Sequence, residues 1–436
     1  MAVFCHFLYK RKPMKTATKC IQVGYEPKNG EPRVLPICQS TTYAYENGDE
    51  LASLFDLTKD GHMYTRISNP TVAAVEKKIA ALEGGVGALC TSSGQAATLL
   101  SILNITQEGD NFLAFDNLYG GTTNLFTVTL KKLGIEVRYI DQEMSDEEIV
   151  SFIDSSTRLI FGETLANPSL QVCDLSRFSS LAHAHGLPFI VDNTFTTPII
   201  CRPFEYGVDI VVHSTSKYMD GHAMVVGGVI VDGGTFDWST FPGLSTPDES
   251  YHGVIYTKVF KECAYITKAR VQLMRDFGVT PQPTTAFLLN LGLETLDLRV
   301  RKHSENALTI AKHLVNHPKI AWLNYPGLKE DKYHNLAMKY FDDGLCSGVI
   351  GLGIKGGRQG AMDFMNHLKM AKIVVHVADA RTSVLHPAST THRQLSEEAL
   401  LAAGVKPEFV RFSVGIEDVT DIIEDIEQAL EAVDAN

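Results

Sequence analysis

His213-Ser214-Thr215-Ser216-Lys217-Tyr218 is the segment from which the fold of this chain can best be inferred. It follows the apolar run 210–212, which predicts a buried strand, so Lys217 lies just beyond the carboxyl end of that strand. Ser214 and Ser216 place hydroxyl groups on alternate positions before the lysine, and a glycine-rich turn follows it. A lone lysine is usually a solvated surface charge. These neighbours instead favour a functional lysine at the end of a strand.

Apolar strands and amphipathic helices alternate on both sides of this stretch. Strands are predicted at 88–91, 111–115, 136–140, 159–163, 188–192, 210–213 and 228–231. Helices are predicted between them at 72–82, 96–103, 122–133 and 176–185. This alternation predicts an α/β fold, in which a mostly parallel central sheet is covered by helices on both faces. Such sheets bind ligands at the carboxyl ends of their strands.

The pattern changes after the last of these strands. Residues 233–253 are rich in Gly, Pro, Ser and Thr, which predicts a surface loop, and a long helix is predicted at 254–277. A domain change is expected near 283–290. The second domain is predicted to contain helices at 286–313, 362–368 and 419–433 and strands at 348–354 and 409–414.

Composition excludes several classes of protein. The 436 residues include 39 Lys and Arg against 51 Asp and Glu, a formal charge of −12, which disfavours general binding to nucleic acid. No apolar run approaches the ~18–20 residues of a membrane span. The eight cysteines are scattered without Cys-x-x-Cys or Cys/His ligand spacing. This predicts reduced thiols, a cytoplasmic location and no metal site.

The residues around Lys217 meet the requirements of pyridoxal phosphate (PLP). A lysine amine can form a Schiff base with PLP, and nearby hydroxyls can hold the phosphate. Asp192 ends a predicted strand and offers the carboxylate that the pyridinium nitrogen needs. Residues 91–96 join a strand to a helix, whose N-terminal N–H groups can bind phosphate, and Gly94 lets the backbone approach the anion.

Several ordered motifs carry a resemblance to a known family. They are Tyr64-Thr65-Arg66-Ile67-Ser68-Asn69-Pro70, Ser92-Ser93-Gly94-Gln95-Ala96-Ala97, Tyr119-Gly120-Gly121-Thr122, Glu163-Thr164-Leu165-Ala166-Asn167-Pro168, Val191-Asp192-Asn193-Thr194, Ser214-Thr215-Ser216-Lys217-Tyr218, His386-Pro387-Ala388-Ser389 and Arg411-Phe412-Ser413-Val414-Gly415-Ile416-Glu417. Over about residues 17–435 the chain resembles the cystathionine/methionine-metabolism family of fold-type I PLP-dependent enzymes. The resemblance implies an aspartate-aminotransferase-like fold. It also implies an N-terminal extension and inter-subunit arm (1–69), a large PLP-binding domain (70–285) and a small α+β C-terminal domain (286–436), with 1–13 as a dispensable extension.

The resemblance implies a role toward the cofactor for each matching residue. Lys217 would form the Schiff base and carry protons, and Asp192 would pair with the pyridinium nitrogen. Tyr119 would stack on the ring and assist proton transfer, and Asn167 would hydrogen-bond the phenolic oxygen. Four residues would bind the phosphate: Gly94, Gln95, Ser214 and Ser216.

The resemblance also implies roles toward the substrate and between subunits. Arg411 would bind the substrate α-carboxylate, a bidentate task suited to guanidinium. Tyr64 and Arg66 would reach the phosphate of the neighbouring subunit's cofactor, and Tyr64 would also contact the substrate. The chain would therefore form a homo-oligomer, a tetramer built from dimers with shared active sites.

Three features are similar to the sulfhydrylase branch of the family: Ser92-Ser93-Gly94-Gln95, the segment 220–234 and the insertion 233–253. Tyr119-Gly120-Gly121 also lacks the Cys typical of methionine γ-lyases. The implied reaction is γ-replacement, in which O-acetylhomoserine and sulfide (or methanethiol) give homocysteine (or methionine) and acetate. A methionine γ-lyase or cystathionine γ-lyase type of elimination is the alternative. Ala378-Asp379 departs from the Gly-Asp that the family often shows, which leaves the acyl group open.

Two hypotheses from other classes remain. Gly351-Leu352-Gly353-Ile354-Lys355-Gly356 has the spacing of a dinucleotide-binding turn and would make the protein a nicotinamide-dependent oxidoreductase. Its first two glycines, however, fall inside a predicted strand. A cofactor-binding homologue with a purely regulatory role is disfavoured, since Lys217, Asp192 and Arg411 are all present.

Overall fold

The computed structural model describes residues 14–390, 393 and 404–433. The extension predicted at 1–13 lies outside the described residues. The described chain contains two sheets, a seven-stranded central sheet and a five-stranded sheet nearer the C-terminus. This confirms the predicted fold class. The domain boundaries at 69/70 and 285/286 stay predictions.

The central sheet has the strand order β1-β7-β6-β5-β4-β2-β3. Its strands are β1 Gly87–Thr91, β2 Asn111–Phe115, β3 Glu136–Ile140, β4 Thr157–Glu163, β5 Phe189–Asp192, β6 Ile210–Ser214 and β7 Gly228–Asp232. Neighbouring strands from β3 to β6 pair in parallel, whereas β7 runs antiparallel to β6 and β1. Apart from the edge strand β3, each of these strands is buried at all or all but one of its residues, as expected for a sheet covered by helices on both faces.

The strand register places the polar ends of three strands side by side. Glu163 of β4 pairs with Asp192 of β5, and Asp192 pairs with Val212 of β6. Ser214 then ends β6 and leads into Lys217. The carboxyl edge of the parallel strands therefore gathers two carboxyl groups, a hydroxyl and an amine.

The α-helices are distributed along the whole described chain. The α-helices are Thr16–Gln22, Gly48–Phe55, Pro70–Glu83, Gly94–Leu103, Gly120–Asn124, Asp146–Val150, Leu175–Ala184, Thr197–Ile200, Pro242–Ser245, Tyr256–Val259, Ala264–Lys268, Arg275–Phe277, Pro283–Glu294, Leu296–Leu314, His334–Tyr340, Gly357–His367 and Val419–Glu431. Helix Pro70–Glu83 contains the helix predicted at 72–82, with Asn69 accepting N–H bonds at its start and Gly84 ending it at φ +87°.

The second sheet has the order β10-β11-β12-β9-β8. Its strands are β8 Ile320–Asn324, β9 Val349–Ile354, β10 Lys372–Ile373, β11 Ser383–Leu385 and β12 Phe409–Ser413. The sequence predicted β9 and β12 but missed the other three. β10 and β11 have two and three residues, and β8 is half-exposed at the sheet edge, so none gives a long apolar run.

The glycines of Gly351-Leu352-Gly353 lie inside β9, as predicted, and not in a turn. A Cβ at Gly353 would come within 2.3 Å of the Trp322 indole. The close approach of that ring explains the glycine, and a dinucleotide-binding turn is not formed here.

The segment 233–253 lies largely at the surface, as predicted, but it is not an irregular loop throughout. The segment forms short helical turns (Trp238–Thr240, Pro242–Ser245 and Glu249–Tyr251), and Trp238 and Leu244 are buried. The Trp238 ring stacks on Tyr265 with 4.8 Å between centroids. Aromatic side chains attach this polar segment to the body of the domain, so composition alone did not reveal its packing.

The predicted single helix at 254–277 is wrong. Lys261 adopts a left-handed φ of +50°, which interrupts the helix, and a π-helical segment occupies Ala269–Met274. Six cysteines of the described chain carry free thiols, as predicted: Cys20, Cys38, Cys90, Cys173, Cys201 and Cys346. Among the helices that the structure describes, none is long and apolar enough to span a membrane.

Candidate active site

A cavity of about 200 Å³ opens at the carboxyl edge of the central sheet. Residues from both sheets line it, and they include nine of the eleven residues that the sequence singled out. The lining residues are Ser93, Gly94, Gln95, Thr98, Tyr119, Thr122, Glu163, Leu165, Asn167, Asp192, Thr194, Phe195, Ser214, Ser216, Lys217, Val226, Val375, Val377 and Arg411.

Lys217 reaches the cavity from the turn after β6, and this turn is fixed by backbone hydrogen bonds. The Lys217 carbonyl accepts from Gly221 N at 2.7 Å, and the side chain Nζ lies 3.3 Å from His376 Nδ1. Burial, and secondly the positive charge of Arg411, lower the pKa of Lys217 to about 8. A larger fraction of the amine is therefore neutral and nucleophilic at pH 7 than in an exposed lysine.

Asp192 and Glu163 form a pair of neighbouring carboxyl groups beside the lysine. Asp192 Oδ1 accepts from Thr194 N at 2.9 Å and from Thr194 Oγ1. Glu163 accepts from Tyr119 N at 2.7 Å and from Asn167 N at 2.8 Å. Burial raises the pKa of both carboxyl groups, and the charge of Asp192 raises that of Glu163 further. A cation placed against Asp192, such as a protonated pyridine, would offset this cost.

The N-terminus of helix Gly94–Leu103 packs tightly on the end of β6. A Cβ at Gly94 would lie 2.7 Å from the Ser214 Cβ, and one at Gly228 would lie 2.2 Å from the Ser93 carbonyl oxygen. Ser93 caps the helix by accepting from Ala96 N at 3.1 Å. The helix N–H groups and the Ser214 hydroxyl therefore line one end of the cavity together, which suits a phosphate.

Ser216 is placed by its own turn. Its Oγ accepts from Gly227 N at 3.0 Å and lies 3.2 Å from the Gly227 carbonyl oxygen, to which it donates. Gln95 Nε2 lies 3.4 Å from Thr122 Oγ1 across the cavity. These groups add further hydrogen-bonding capacity at the same end.

Arg411 approaches from β12 of the second sheet. Its Nη1 donates to Asn167 Oδ1 and its Nη2 to the Val375 carbonyl, both at 3.1 Å. The side chain is 4% exposed, and its Nε has no hydrogen-bond partner among the described residues. Burial lowers the pKa of Arg411 to about 10. A buried guanidinium with an unused donor at a cavity wall is suited to bind a carboxylate.

Tyr119 stands at the mouth of the cavity with 37% of its surface exposed. A Cβ at Gly121 would lie 2.5 Å from the Tyr119 ring, so the glycine allows the ring to fold over its own loop. The exposed ring is free to stack on a planar ligand.

Tyr64 and Arg66 are the two predicted site residues that the structure does not bring to the cavity. Tyr64 is 38% exposed, its ring lies 5.3 Å from the Arg66 guanidinium, and Arg66 donates to the Arg275 carbonyl. A role at an active site would therefore require the cavity of another subunit.

The residues of the cavity fit PLP. They supply a partly buried amine, a carboxyl group at the carboxyl end of the neighbouring strand, tightly packed N–H and hydroxyl donors, and an exposed aromatic ring. Bound there, PLP would stabilise negative charge at the α-carbon of an amino acid.

Residues 17–431 match the family described as Cys/Met metabolism PLP-dependent enzyme. The chain belongs to this family. The predictions of the family and of PLP as cofactor are thereby confirmed, and the protein is an enzyme of a PLP-dependent class rather than a nicotinamide-dependent oxidoreductase.

Relatives within the family match the chain over nearly its whole length. The O-acetyl-L-homoserine sulfhydrylase of Leptospira meyeri is 43% identical, covering 96% of this chain and 97% of the relative. The O-acetyl-L-homoserine sulfhydrylase 1 of Thermus thermophilus is 44% identical, covering 96% and 100%. A crystal structure from Campylobacter jejuni, provisionally assigned as an O-acetylhomoserine (thiol)-lyase, has a TM-score of 0.93 at 35% identity, covering 96% and 100%. That structure contains a pyridoxyl-lysine phosphate.

Three residues at the site were assigned no role in the sequence analysis. Glu163 and Thr194 occur inside the quoted motifs, and their position after a buried strand was the available signal. His376 gave no signal, because it lies in a short apolar run between valines and reaches Lys217 only through tertiary packing.

Proposed function

We propose that this enzyme is an O-acetylhomoserine sulfhydrylase, which converts O-acetylhomoserine and sulfide to homocysteine and acetate. The observation that carries the proposal is near full-length similarity, at 43–44% identity, to relatives with that name. A homocysteine synthase of Schizosaccharomyces pombe, 42% identical over 94% of the chain, supports the same reaction. The cavity supports it too, since an amine and a guanidinium from two different sheets border one small space.

The chain's own residues would divide the work as follows. Arg411 would hold the substrate carboxylate with its guanidinium, and the buried Lys217 amine would move protons at the α- and β-carbons. Asp192 would keep the pyridine nitrogen protonated. Asn167 links Arg411 to the carboxyl pair Glu163 and Asp192. Its side-chain oxygen accepts a hydrogen bond from Arg411, and its backbone N–H donates one to Glu163. When bound, PLP supplies the electron sink that makes γ-replacement possible.

The assembly and location are part of the same proposal. A homotetramer built from dimers would bring Tyr64 and Arg66 of one subunit to the cavity of another, in agreement with their distance from their own cavity. A cytoplasmic location agrees with the six free thiols of the described chain.

A substrate panel tests the reaction. Purified enzyme would receive O-acetylhomoserine with sulfide, O-acetylhomoserine with methanethiol, and then methionine or cystathionine alone, and products would be quantified. Homocysteine formation should be the fastest reaction, and Lys217→Ala should lose both turnover and the visible absorbance of the Schiff base. Faster release of ketobutyrate from methionine or cystathionine would instead identify a γ-lyase.

A further inference from the structure

His376 lies beside Lys217, and the functions assigned so far do not use it. Its Nδ1 is 3.3 Å from Lys217 Nζ. The two adjacent valines, Val375 and Val377, line the cavity, and the Val375 carbonyl accepts from Arg411 Nη2. One short segment before β11 therefore contacts both the lysine and the arginine of the site.

The protonation of the two groups decides which atom donates. With a pKa of about 8, Lys217 is mainly an ammonium near pH 7, which has three donors and no acceptor. Burial, and secondly the charge of Lys217, lower the pKa of His376 to about 4, so its ring is neutral. The charged groups that act on His376 are Lys217, Asp379, Asp220 and Arg411. Nδ1 must therefore accept.

A neutral imidazole that accepts at Nδ1 carries its hydrogen on Nε2. His376 Nε2 is buried and has no hydrogen-bond partner in the part of the chain that the structure describes. The ring thus leaves one donor unsatisfied while its other nitrogen faces the lysine, which is unexpected for a histidine with a purely structural role.

We propose that His376 is a positioning residue for Lys217, whose Nδ1 accepts a hydrogen bond from the free lysine amine and holds it at the cavity wall between proton transfers. The inference rests on the proposed function of Lys217, because its amine is free only while the substrate has taken its place on the cofactor. The hydrogen bond stabilises the ammonium form, and its removal lowers the pKa of Lys217.

Schiff-base formation by the enzyme freed of PLP tests this inference without turnover. Only a neutral amine attacks the PLP aldehyde, so the rate of absorbance change rises with pH through the pKa of Lys217. His376→Phe keeps a ring but removes the acceptor, and it should lower the midpoint by about one pH unit, the order expected for one hydrogen bond to a charged group. His376→Asn places an oxygen near the position of Nδ1 and should restore the midpoint.

His367→Leu is the matched control, because this histidine is exposed on helix Gly357–His367. The pH midpoint of Schiff-base formation by this variant should equal that of the parent enzyme. An unchanged midpoint in His376→Phe, or an equal shift in His376→Asn, would overturn the proposal. Should the phenylalanine variant not fold, His376→Leu takes its place with the same expected shift. No acyl donor or thiol is used, so a failed substrate panel and a failed role for His376 are distinguishable.

Discussion

At the residue scale, Arg411 is buried and its guanidinium donates two hydrogen bonds through different nitrogen atoms. Even replacement by lysine should therefore impair its function. Arg411→Lys keeps the charge but loses the planar fork that contacts Asn167 and the Val375 carbonyl. We expect kcat/KM for O-acetylhomoserine to fall roughly 10–100-fold, mostly through KM, as for a lost hydrogen bond between charged groups. Steady-state kinetics would measure this, with Arg358→Lys on an exposed helix surface as the control. Equal KM values in the two variants would contradict the role.

Ala378 is the departure from the family's Gly-Asp pattern, and its backbone gives that departure a physical meaning. It adopts φ +65°, a left-handed conformation that costs an L-residue ~1–2 kcal/mol, while its N–H donates to Ser413 Oγ at 2.9 Å. Glycine removes that strain but adds about 0.4–1 kcal/mol of unfolded-state entropy. Ala378→Gly should therefore raise the unfolding free energy by up to ~1 kcal/mol.

Urea or thermal unfolding would measure the change. The control is Ala361→Gly, within helix Gly357–His367, where glycine should destabilise by ~1 kcal/mol. Destabilisation by Ala378→Gly would show that the alanine methyl group contributes packing that outweighs its strain.

At the scale of elements, the phosphate end of the cavity depends on the contact between helix Gly94–Leu103 and β6. Gly94→Ala would force the helix start away from Ser214, because the new Cβ would lie 2.7 Å from the Ser214 Cβ. Such overpacking costs ~1–3 kcal/mol. We expect the dissociation constant for PLP to rise roughly tenfold or more.

Equilibrium titration of the PLP-free enzyme with PLP would measure this affinity. Gly48→Ala is the matched control, since Gly48 also lies at a helix start but has open space around it. If both variants bind PLP as tightly as the parent enzyme, the helix start does not take part in phosphate binding.

At the scale of the whole molecule, the shared active site is the main prediction. Tyr64 and Arg66 are outside the cavity of their own chain. A subunit that lacks Lys217 should therefore still supply Arg66 to the site of a partner that lacks Arg66. Lys217→Ala and Arg66→Ala should each have low activity when refolded alone. When the two variants are unfolded, mixed and refolded together, roughly half of the dimers should contain one subunit of each, and one of the two sites in such a dimer is intact. The mixture should therefore recover roughly a quarter of the parent activity.

Activity of the mixture, compared with each variant refolded alone, measures the effect. The control mixes Lys217→Ala with Arg411→Leu, which are both changed within the cavity of one subunit, and no recovery is expected there because every mixed dimer has two defective sites. If the mixture with Arg66→Ala also fails to recover although its subunits have mixed, Arg66 acts in its own subunit's site.

The central sheet and the chemical groups on its edge could be predicted from local sequence patterns. Buried parallel strands are short apolar runs, and β4, β5 and β6 end in the polar residues Glu163, Asp192 and Ser214, which line the cavity. The family motifs then predicted PLP, which the family confirms, and a carboxylate-binding role for Arg411, which stays a prediction. These features are local, because the burial pattern and the end of a strand can both be recognised from residues that are adjacent in the sequence.

The contacts between groups that are distant in the sequence became known from the packing of the folded chain. It packed the polar segment 233–253 through Trp238 against Tyr265, brought Glu163 beside Asp192, and placed His376 against Lys217. It also placed Tyr64 and Arg66 away from the cavity of their own chain. Sequence periodicity reports whether a residue is buried, whereas a contact between residues far apart in the sequence depends on how strands pair and how helices and sheets pack.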